Sequence, residues 1–537
     1  MTLRSWAFAC LFAIALFFAV HAKAGEPSVG KFVKYDTGDF VIITSRGSTQ
    51  AREIMEKLVK FRLCLEKVLG KRAARSGIGT YIVIVSESDW DKYLQPRQKV
   101  AGYFQRARFD NYMALNGDAS DFAIFVMFHE YTHFYLSTQF SGEYPPWFNE
   151  GLAEVMGYAR FTERRMVLQI PTFRVEEARD SDWIPFDRMI KIDHNSPEYQ
   201  SHQLANAFYS QAWLMVHYGL IEDKDFGGQI FKYLAQLNSL VPQEEAARAA
   251  FGDDLAALDG KLRKYSRTSR MSSGALELGV VPPITLPKGE PMSDEDALAT
   301  IIDVMLATRL APDRIRPMVE SMNRRAPKSA RSYILAARFA DYVDDAAAFE
   351  AAVTKAESLL TAGDWLSRRQ LASALLTSAD QFNPLVNRTE EDTQRELKRS
   401  LKWYMQAVGL NKEDAETLWG LGTALTRLDR DLDVADLALR SAYQKIPASA
   451  SIAMSLAILK GREQKPEEMI PYLKDTIRYA SDLSTRRWAT ETLEETRKDL
   501  EERRKVDEEN RKQREQYEKD MAEYEKKYGK PKKKKSG

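Results

Sequence analysis

Cysteine and histidine are both scarce in this sequence. Only 2 cysteines and 6 histidines occur among its 537 residues. Two thiols cannot form the disulfide framework that stabilises many small secreted domains. The charges nearly cancel, because 78 lysines and arginines stand against 77 acidic residues, and this balance argues against nucleic acid as the main partner. The length allows two or three domains, each with a hydrophobic core of its own.

Long apolar runs are equally scarce, and the longest begins close to the N terminus. It extends from Trp6 to Val20, between Arg4 and a small-residue cleavage site at Ala24. The run is shorter than a membrane-spanning helix of about 20 residues, and its flanks are typical of a secretory signal peptide. We therefore predict that residues 1–24 are cleaved. The mature protein is then exported to the bacterial periplasm, or secreted, without a stable membrane anchor.

Cleavage would leave Cys64 as the single cysteine. The mature chain would have 78 minus 2 basic residues against 77 acidic ones, a net charge of −1. Cys64 belongs to an apolar pattern at helical spacing that includes Leu58, Phe61 and Leu65. A cysteine in such a pattern is typical of a buried thiol and not of a nucleophile.

Two of the histidines stand in the sequence HEYTH, residues 129–133. Side chains four residues apart on an α-helix share one face, so the imidazoles of His129 and His133 can bind one metal ion. Glu130 lies beside that face, where it can act as general base toward a water molecule. The preceding residues are apolar on nearly all sides, which predicts a buried helix.

The segment PPWFNEGLAE, residues 145–154, offers a third ligand. Pro146 suits the first turn of a helix, on which Glu150 and Glu154 lie four residues apart on one face. We assign Glu150 as the third ligand, which leaves one coordination position for water. Glu154 is predicted to accept a hydrogen bond from a ligand histidine and so fix its tautomer. A solvated carboxylate is the alternative for Glu154.

HEYTH followed by WFNEGLAE resembles the gluzincin superfamily, in particular the bacterial peptidase-MA-like metallohydrolases. The resemblance covers residues 28–265 and implies zinc (Zn²⁺) as cofactor, with His129, His133 and Glu150 as ligands and Glu130 as base. The spacing between the second histidine and the third ligand is slightly shorter than in gluzincin aminopeptidases. The glycine-and-acid exopeptidase motif of those enzymes is also missing upstream, so an aminopeptidase activity is not implied.

Gluzincins also carry a tyrosine or histidine, on a helix after the third ligand, that hydrogen-bonds the developing oxyanion. The resemblance implies Tyr209 for this role, on the helical run from residue 205 to residue 218, with His202 as second candidate. Because aromatic residues on an apolar helix usually serve packing, a core role is the alternative for Tyr209.

The segments before HEYTH alternate between strands and helices, as a layered α/β platform requires. The predicted strands are residues 40–44, 80–85, 102–104 and 112–116. The last two are predicted to form a hairpin around Asp110-Asn111. In gluzincins an edge strand of this kind binds the extended substrate backbone, whereas simple closure of the sheet is the alternative. For residues 25–267 we predict an α+β zincin-like metallopeptidase domain, with a small sheet plus active-site helices.

Residues 268–293 lose helical periodicity and gain proline, glycine and serine, so we predict a linker. Helical patterns then resume. Ser400, Tyr404 and Ala407 recur 35 positions later as Ala435, Leu439 and Ala442. This spacing is similar to the tetratricopeptide repeat, in which small residues let two helices pack closely. We predict an all-α helical-repeat domain at residues 294–485 that binds a protein or peptide, with plain helical packing as the alternative.

Residues 486–537 are dominated by glutamate, lysine and arginine. Opposite charges three and four positions apart predict a solvated helix, followed by a basic tail. The combined patterns predict an exported zinc-dependent peptidase whose helical repeats dock substrate or partner. Two alternatives remain, a non-peptide zinc hydrolase of the cell envelope and a repeat-based scaffold with a degenerate zinc domain.

Overall fold

The structure is a computed structural model of the chain. It describes residues 31–529 with the exception of residues 39, 70–78, 96–99, 108, 118–120, 140–143, 163, 194–195, 240, 280–286, 380–388 and 481–482. The predicted signal peptide and most of the basic tail lie outside the described residues. The chain divides into two compact units, Met1–Lys412 and Glu413–Gly537.

The first unit contains a six-stranded sheet. Its strands are β1 (Val33–Asp36), β2 (Val41–Thr44), β3 (Gly79–Val85), β4 (Gly102–Arg106), β5 (Asp110–Asn116) and β9 (Glu290–Pro291). Their order is β4-β5-β3-β2-β1-β9, in which β2, β3 and β5 are parallel and the outer pairs are antiparallel. The predicted hairpin is present, but its turn precedes Asp110, whose carbonyl accepts from the Ala107 amide at 2.8 Å. β4 forms one edge of this sheet.

A smaller sheet and a set of helices complete the chain up to residue 277. The smaller sheet consists of β6 (Ala159–Phe161), β7 (Arg165–Leu168) and β8 (Gly274–Glu277). The helices are α1 (Ser48–Leu69), α2 (Glu87–Asp89), α3 (Asp121–Gln139), α4 (Pro146–Gly157), α5 (Thr172–Asp180), α6 (Phe186–Met189), α7 (Pro197–Gln200), α8 (His202–His217), α9 (Lys224–Asn238), α10 (Gln243–Phe251) and α11 (Leu255–Ser266). Two π-helical turns, Trp90–Leu94 and Tyr218–Glu222, continue α2 and α8. Cys64 is fully buried on α1, as predicted, and burial raises the pKa of its thiol to about 12.

Helices from residue 294 onward form packed pairs, as a helical repeat requires. In the first unit these are α12 (Asp294–Ala307), α13 (Pro312–Arg325), α14 (Ala330–Tyr342), α15 (Ala346–Leu359), α16 (Trp365–Ser378) and α17 (Glu390–Leu410). The second unit contains α18 (Ala415–Arg427), α19 (Leu432–Lys445), α20 (Ala450–Arg462), α21 (Pro466–Tyr479) and α22 (Leu483–Tyr528).

The repeated small and large residues occupy matching buried positions on α17 and α19. Gly422 shows why small residues recur. A Cβ atom there would lie 2.6 Å from Leu439 Cγ and 2.9 Å from the Ala435 carbonyl oxygen, so only glycine lets α18 and α19 approach this closely. The predicted close packing of helix pairs is therefore confirmed at this position.

The 46-residue helix α22 is packed only near its start. Ala489 and Leu493 contact apolar residues of α20 and α21, whereas residues 501–520 are exposed. Ion pairs one turn apart, such as Lys505–Glu501 at 2.7 Å, support the exposed part. The predicted solvated charged helix is confirmed. Among the residues that the structure describes, no helix has both the length and the apolar character needed to cross a membrane.

Successive side chains of a strand point to opposite faces of the sheet, and both faces of the large sheet are buried. On one face Ile42 and Ile82 belong to the core formed with α1, α3 and α4. On the other face Ile43, Val83 and Val85 belong to a core formed with α12, α13 and α14. The first helices after the predicted linker therefore cover the sheet that precedes it.

The predicted linker itself contributes a strand to each sheet. β8 pairs with β7 and β9 pairs with β1. The Lys67 ammonium group also donates to the Glu277 and Leu278 carbonyls at 2.8 and 2.7 Å. The described part of the predicted linker, residues 268–293, thus contains two short paired strands that the sequence pattern did not indicate. Such short strands form only where a partner edge exists, which local composition does not reveal.

We expect a chain shortened to residues 25–279 to be insoluble or unfolded. It lacks α12, α13 and α14, so the face with Ile43, Val83 and Val85 becomes an exposed apolar patch. Soluble yield, far-UV circular dichroism and thermal unfolding measure the outcome. Residues 25–412, the first compact unit, are the matched control and should fold. Cooperative unfolding of the shorter chain would contradict this interpretation of the sheet.

Candidate metal centre

The two sequence motifs lie on neighbouring helices. HEYTH is on α3 and NEGLAE on α4, and the two helices pack against each other. Phe128 of α3 stacks on Phe61 of α1 with ring centroids 4.2 Å apart, which fixes α3 against the core. The large apolar side chains of α3 that precede His129 are buried, as predicted, except for the exposed Phe122. This arrangement turns the face with His129 and His133 toward α4.

Gly151, in the Asn-Glu-Gly segment, sets the distance between α4 and α8. A Cβ atom at this position would lie 2.3 Å from the Ala212 carbonyl oxygen and 2.7 Å from Val216 Cγ2. Real side chains do not tolerate such distances, and one of the contacts is backbone that cannot turn away. The glycine after Glu150 is therefore a packing requirement that brings α8, with Tyr209, close to α4.

His129, His133 and Glu150 converge on one point. Their ligand atoms all lie within 4.8 Å of one another. The two Nε2 atoms are 3.0 Å apart, and Glu150 Oε2 is 3.3 Å from that of His129 and 3.4 Å from that of His133. A tetrahedral zinc site with bonds of about 2.0 to 2.1 Å has ligand atoms about 3.3 to 3.4 Å apart. Two imidazoles and one carboxylate at these distances could hold a zinc ion with one coordination position left for water.

The electrostatics of this cluster favour positive charge at its centre. Burial by itself would lower the pKa of His133, but the charge of Glu150 and a hydrogen bond to it outweigh burial and raise the pKa to about 9. Burial likewise opposes ionisation of Glu150, yet the two histidines hold the pKa of this carboxyl well below its usual range. A bound cation would supply the same positive charge to the three facing lone pairs.

Asn149 fixes the tautomer of His133. Its Oδ1 atom lies 3.1 Å from His133 Nδ1. An amide oxygen only accepts hydrogen bonds, so Nδ1 is the donor in this contact, and Nε2 is the nitrogen that would offer its lone pair to a metal ion. Asn149 thus does for one histidine what Glu154 was predicted to do.

Glu154 is buried, which excludes the solvated alternative. Its main partner is Arg174 of α5, whose Nε and Nη2 atoms donate to the two carboxylate oxygens at 2.9 and 2.8 Å. The carboxylate faces His129 Nδ1, but the distance of 3.9 Å is longer than a hydrogen bond. His129 Nδ1 is buried and makes no hydrogen bond within the described part of the chain. The predicted role of Glu154 therefore requires a small closing movement toward His129.

Two tyrosines lie beside Glu150. Tyr199 of α7 donates to Glu150 Oε1 at 2.8 Å, and its ring centroid is 6.3 Å from that of Tyr209. Burial first, and then the charge of Glu150, raise the pKa of both phenols, so both hydroxyls remain proton donors. The charge of Glu130 also contributes to the raised pKa of Tyr209. The side chain of His202 lies outside the described residues.

An aromatic group borders the cluster on the His129 side. The Phe125 ring lies 5.7 Å from the His129 ring and 4.5 Å from the Tyr158 ring, and Tyr158 lies 6.1 Å from Phe173. Phe173 is 45% exposed, so the row leads from the candidate metal centre to solvent. The Arg174 guanidinium lies 5.0 Å from the Phe173 ring and 5.7 Å from the Tyr209 ring.

Sequence patterns indicated the candidate ligands but not the residues that contact them or their neighbouring carboxylate. Arg174 and Tyr199 lie 20 and 49 positions after the carboxylates that they contact. Neither belongs to a repeated or spaced motif. A general signal was nevertheless present, since two glutamates on a buried helix require cationic or hydrogen-bonding partners from elsewhere in the chain.

Comparisons with known proteins find helical-repeat structures. No protein-family model and no curated protein matches the chain. It is similar to YrrB, a TPR protein with an unusual peptide-binding site, at 15% identity over 36% of this chain and 91% of YrrB, with a TM-score of 0.26. It is similar to TTC0263, a thermophilic TPR protein of Thermus thermophilus, at 16% identity over 37% and 98%, with a TM-score of 0.30. It is similar to yeast Tom70 at 14% identity over 61% of this chain and 70% of Tom70, with a TM-score of 0.29. The helical repeat described above rests on the packed helix pairs themselves.

We expect Gly151→Ala to destabilise the protein by about 1 to 3 kcal/mol, the usual cost of overpacking a core. The added methyl group would force α4 and α8 apart. Gly228→Ala is the matched control, since this helical glycine has no heavy atom within 4 Å of a built Cβ. That variant should be neutral or slightly more stable. Thermal unfolding of both variants is the measurement, and equal melting temperatures would contradict the close approach of α4 and α8.

Proposed function

We propose that this protein is an exported zinc-dependent hydrolase of gluzincin type that cleaves peptide bonds. The observation that supports it is the convergence of His129, His133 and Glu150 at distances that suit tetrahedral coordination. Two imidazoles and one carboxylate are the ligand set of many hydrolytic zinc sites. The buried His129 Nδ1 also faces the Glu154 carboxylate, which can accept a hydrogen bond from it. Zinc bound there would supply Lewis-acid activation of water and of the scissile carbonyl group.

The side chains around the centre have complementary roles in this reaction. Glu130 takes a proton from the attacking water and passes it to the leaving amine. Tyr209 donates a hydrogen bond to the oxygen on which negative charge develops. β4 is the edge strand of the large sheet and α3 packs against it, so β4 would be the strand that pairs with an extended peptide and holds its backbone across the site. Helix pairs of the repeat region would dock the rest of a protein substrate or a partner.

A second candidate function is partner binding by the helical repeat, with the metal centre inactive. The packed helix pairs within each of the two compact units favour it, because stacked helix pairs provide concave peptide-binding surfaces in many repeat proteins. A non-peptide hydrolase acting on envelope material is a third candidate for the same centre. Cleavage of denatured protein would support the peptidase, turnover of isolated envelope material would support the non-peptide hydrolase, and turnover of neither would support partner binding alone.

Metal binding is the first expected outcome. The mature protein, purified without chelator, should contain about one zinc ion per chain by elemental analysis. Glu150→Ala removes one of three protein ligands and should lose most of this zinc on dialysis. Glu176→Ala, which removes an exposed carboxylate from α5, is the control and should keep it. Full zinc occupancy in the Glu150 variant would refute the ligand assignment.

The general-base role of Glu130 separates metal binding from proton transfer. Glu130→Gln retains the shape of the side chain, so zinc content and melting temperature should stay near those of the wild type. Hydrolysis of a denatured protein should fall by about 10²-fold or more, the scale of general-base catalysis. Unchanged hydrolysis would exclude the proposed mechanism. Glu176→Gln removes an exposed negative charge from α5, the helix that also carries Arg174; it serves as control and should remain active.

A further inference from the structure

The two oxygens of the Glu150 carboxylate have different partners. Oε2 faces the Nε2 atoms of both histidines at 3.3 and 3.4 Å. Oε1 instead accepts a hydrogen bond from the Tyr199 hydroxyl at 2.8 Å. From this division we infer that Tyr199 is a positioning residue that keeps Glu150 a monodentate metal ligand. The inference rests on the proposed function, because it concerns how the proposed zinc ion would be held.

Monodentate binding matters because zinc coordination is limited. Two histidines and one carboxylate oxygen leave the fourth tetrahedral position for the reacting water. A carboxylate that bound through both oxygens would fill or crowd that position. Glutamate alone does not decide between the two modes, since a small rotation of its terminal torsion exchanges them. A hydrogen bond to Oε1 opposes this rotation and also stabilises the buried negative charge that remains on that oxygen.

Tyr199 is held firmly enough to have this effect. It lies on the short helix α7, which begins at Pro197 after Ser196. Ser196 and Asp193 fix the entry to this helix, because the Ser196 hydroxyl accepts from the Asp193 amide and donates to its carboxylate, both at 3.0 Å. The Tyr199 ring also packs edge-on against buried Phe208 of α8, with centroids 5.5 Å apart. The backbone and the ring of Tyr199 are thus positioned independently of Glu150.

Tyr199→Phe in the full chain tests the role directly. The substitution keeps the ring contact with Phe208 and removes only the hydroxyl group. The dissociation constant for zinc, measured by competition with a chromogenic chelator, should rise about 10- to 100-fold, as for other lost partners of metal ligands. With cobalt(II) in place of zinc, the visible bands should weaken, because five-coordinate cobalt absorbs less than tetrahedral cobalt. Tyr158→Phe removes a nearby hydroxyl that does not touch a ligand, and it should change neither quantity.

Comparison with Tyr209→Phe separates positioning from transition-state stabilisation. Tyr209→Phe removes the proposed oxyanion donor and should lower kcat without weakening zinc binding. Tyr199→Phe should lower kcat and also weaken zinc binding. Wild-type zinc affinity and an unchanged cobalt spectrum in Tyr199→Phe would overturn the inference.

A crystal structure of the zinc-loaded wild type is a test that needs no variant. Glu150 Oε2 should lie at bonding distance, about 2.0 to 2.2 Å from zinc, with Oε1 beyond that distance and hydrogen-bonded to Tyr199. Bidentate binding of Glu150 would overturn the inference and leave the proposed hydrolase intact. If the wild type binds zinc through one Glu150 oxygen but hydrolyses no protein, the inference stands and the proposed function is excluded. A wild-type protein that binds no zinc would overturn both.

Discussion

Burial of two carboxylates one turn apart on α4 is the constraint on which the rest of the site depends. Glu150 is 5% exposed and Glu154 is 2% exposed. A buried charge without partners costs several kcal/mol, so each carboxylate must be met by donors from other elements. Two histidines of α3 and Tyr199 of α7 meet Glu150, and Arg174 of α5 meets Glu154. The close approach of α8 at Gly151 then places Tyr209 beside them. Two of these partners are imidazoles turned toward each other, an arrangement that would suit the proposed metal ion.

The candidate ligands could be predicted from sequence because their geometry is local. Four-residue spacing on α3 and again on α4 decides which side chains share a face, whatever the tertiary structure. Only the distance between the two helices remained to be supplied by the fold. Arg174 and Tyr199 could not be predicted in this way, because they reach the site through β7 and through loops whose course depends on the whole domain. The position of Glu154 was anticipated, whereas its bidentate partner and its 3.9 Å separation from His129 were not.

The strands show the same limit at the level of the fold. The run from Thr80 to Val85 is apolar at nearly every position, which indicates a strand buried on both faces. The helices that pack on one face of this strand, α1 and α3, lie close to it in the sequence. The other face is covered by α12, α13 and α14, about 200 positions or more along the chain. Composition near residue 280 predicted a linker because proline and glycine interrupt helices, yet the same residues are compatible with short edge strands. Periodicity alone therefore did not reveal that helices after residue 294 cover one face of the large sheet.

The shared sheet has a consequence for β4, the edge strand next to the candidate centre. Its side chains alternate between the two cores. Phe104 lies 6.0 Å from Phe134 of α3, on the side of the metal centre. Tyr103 packs on the opposite face, 5.5 Å from Trp90, in the core that α12, α13 and α14 complete. The position of β4 is thus fixed from both sides, by the helix that carries the two histidines and by the first helices of the repeat. Since a well-packed interior transmits small displacements and does not absorb them, the first helices of the repeat region are part of the structure that sets the position of β4.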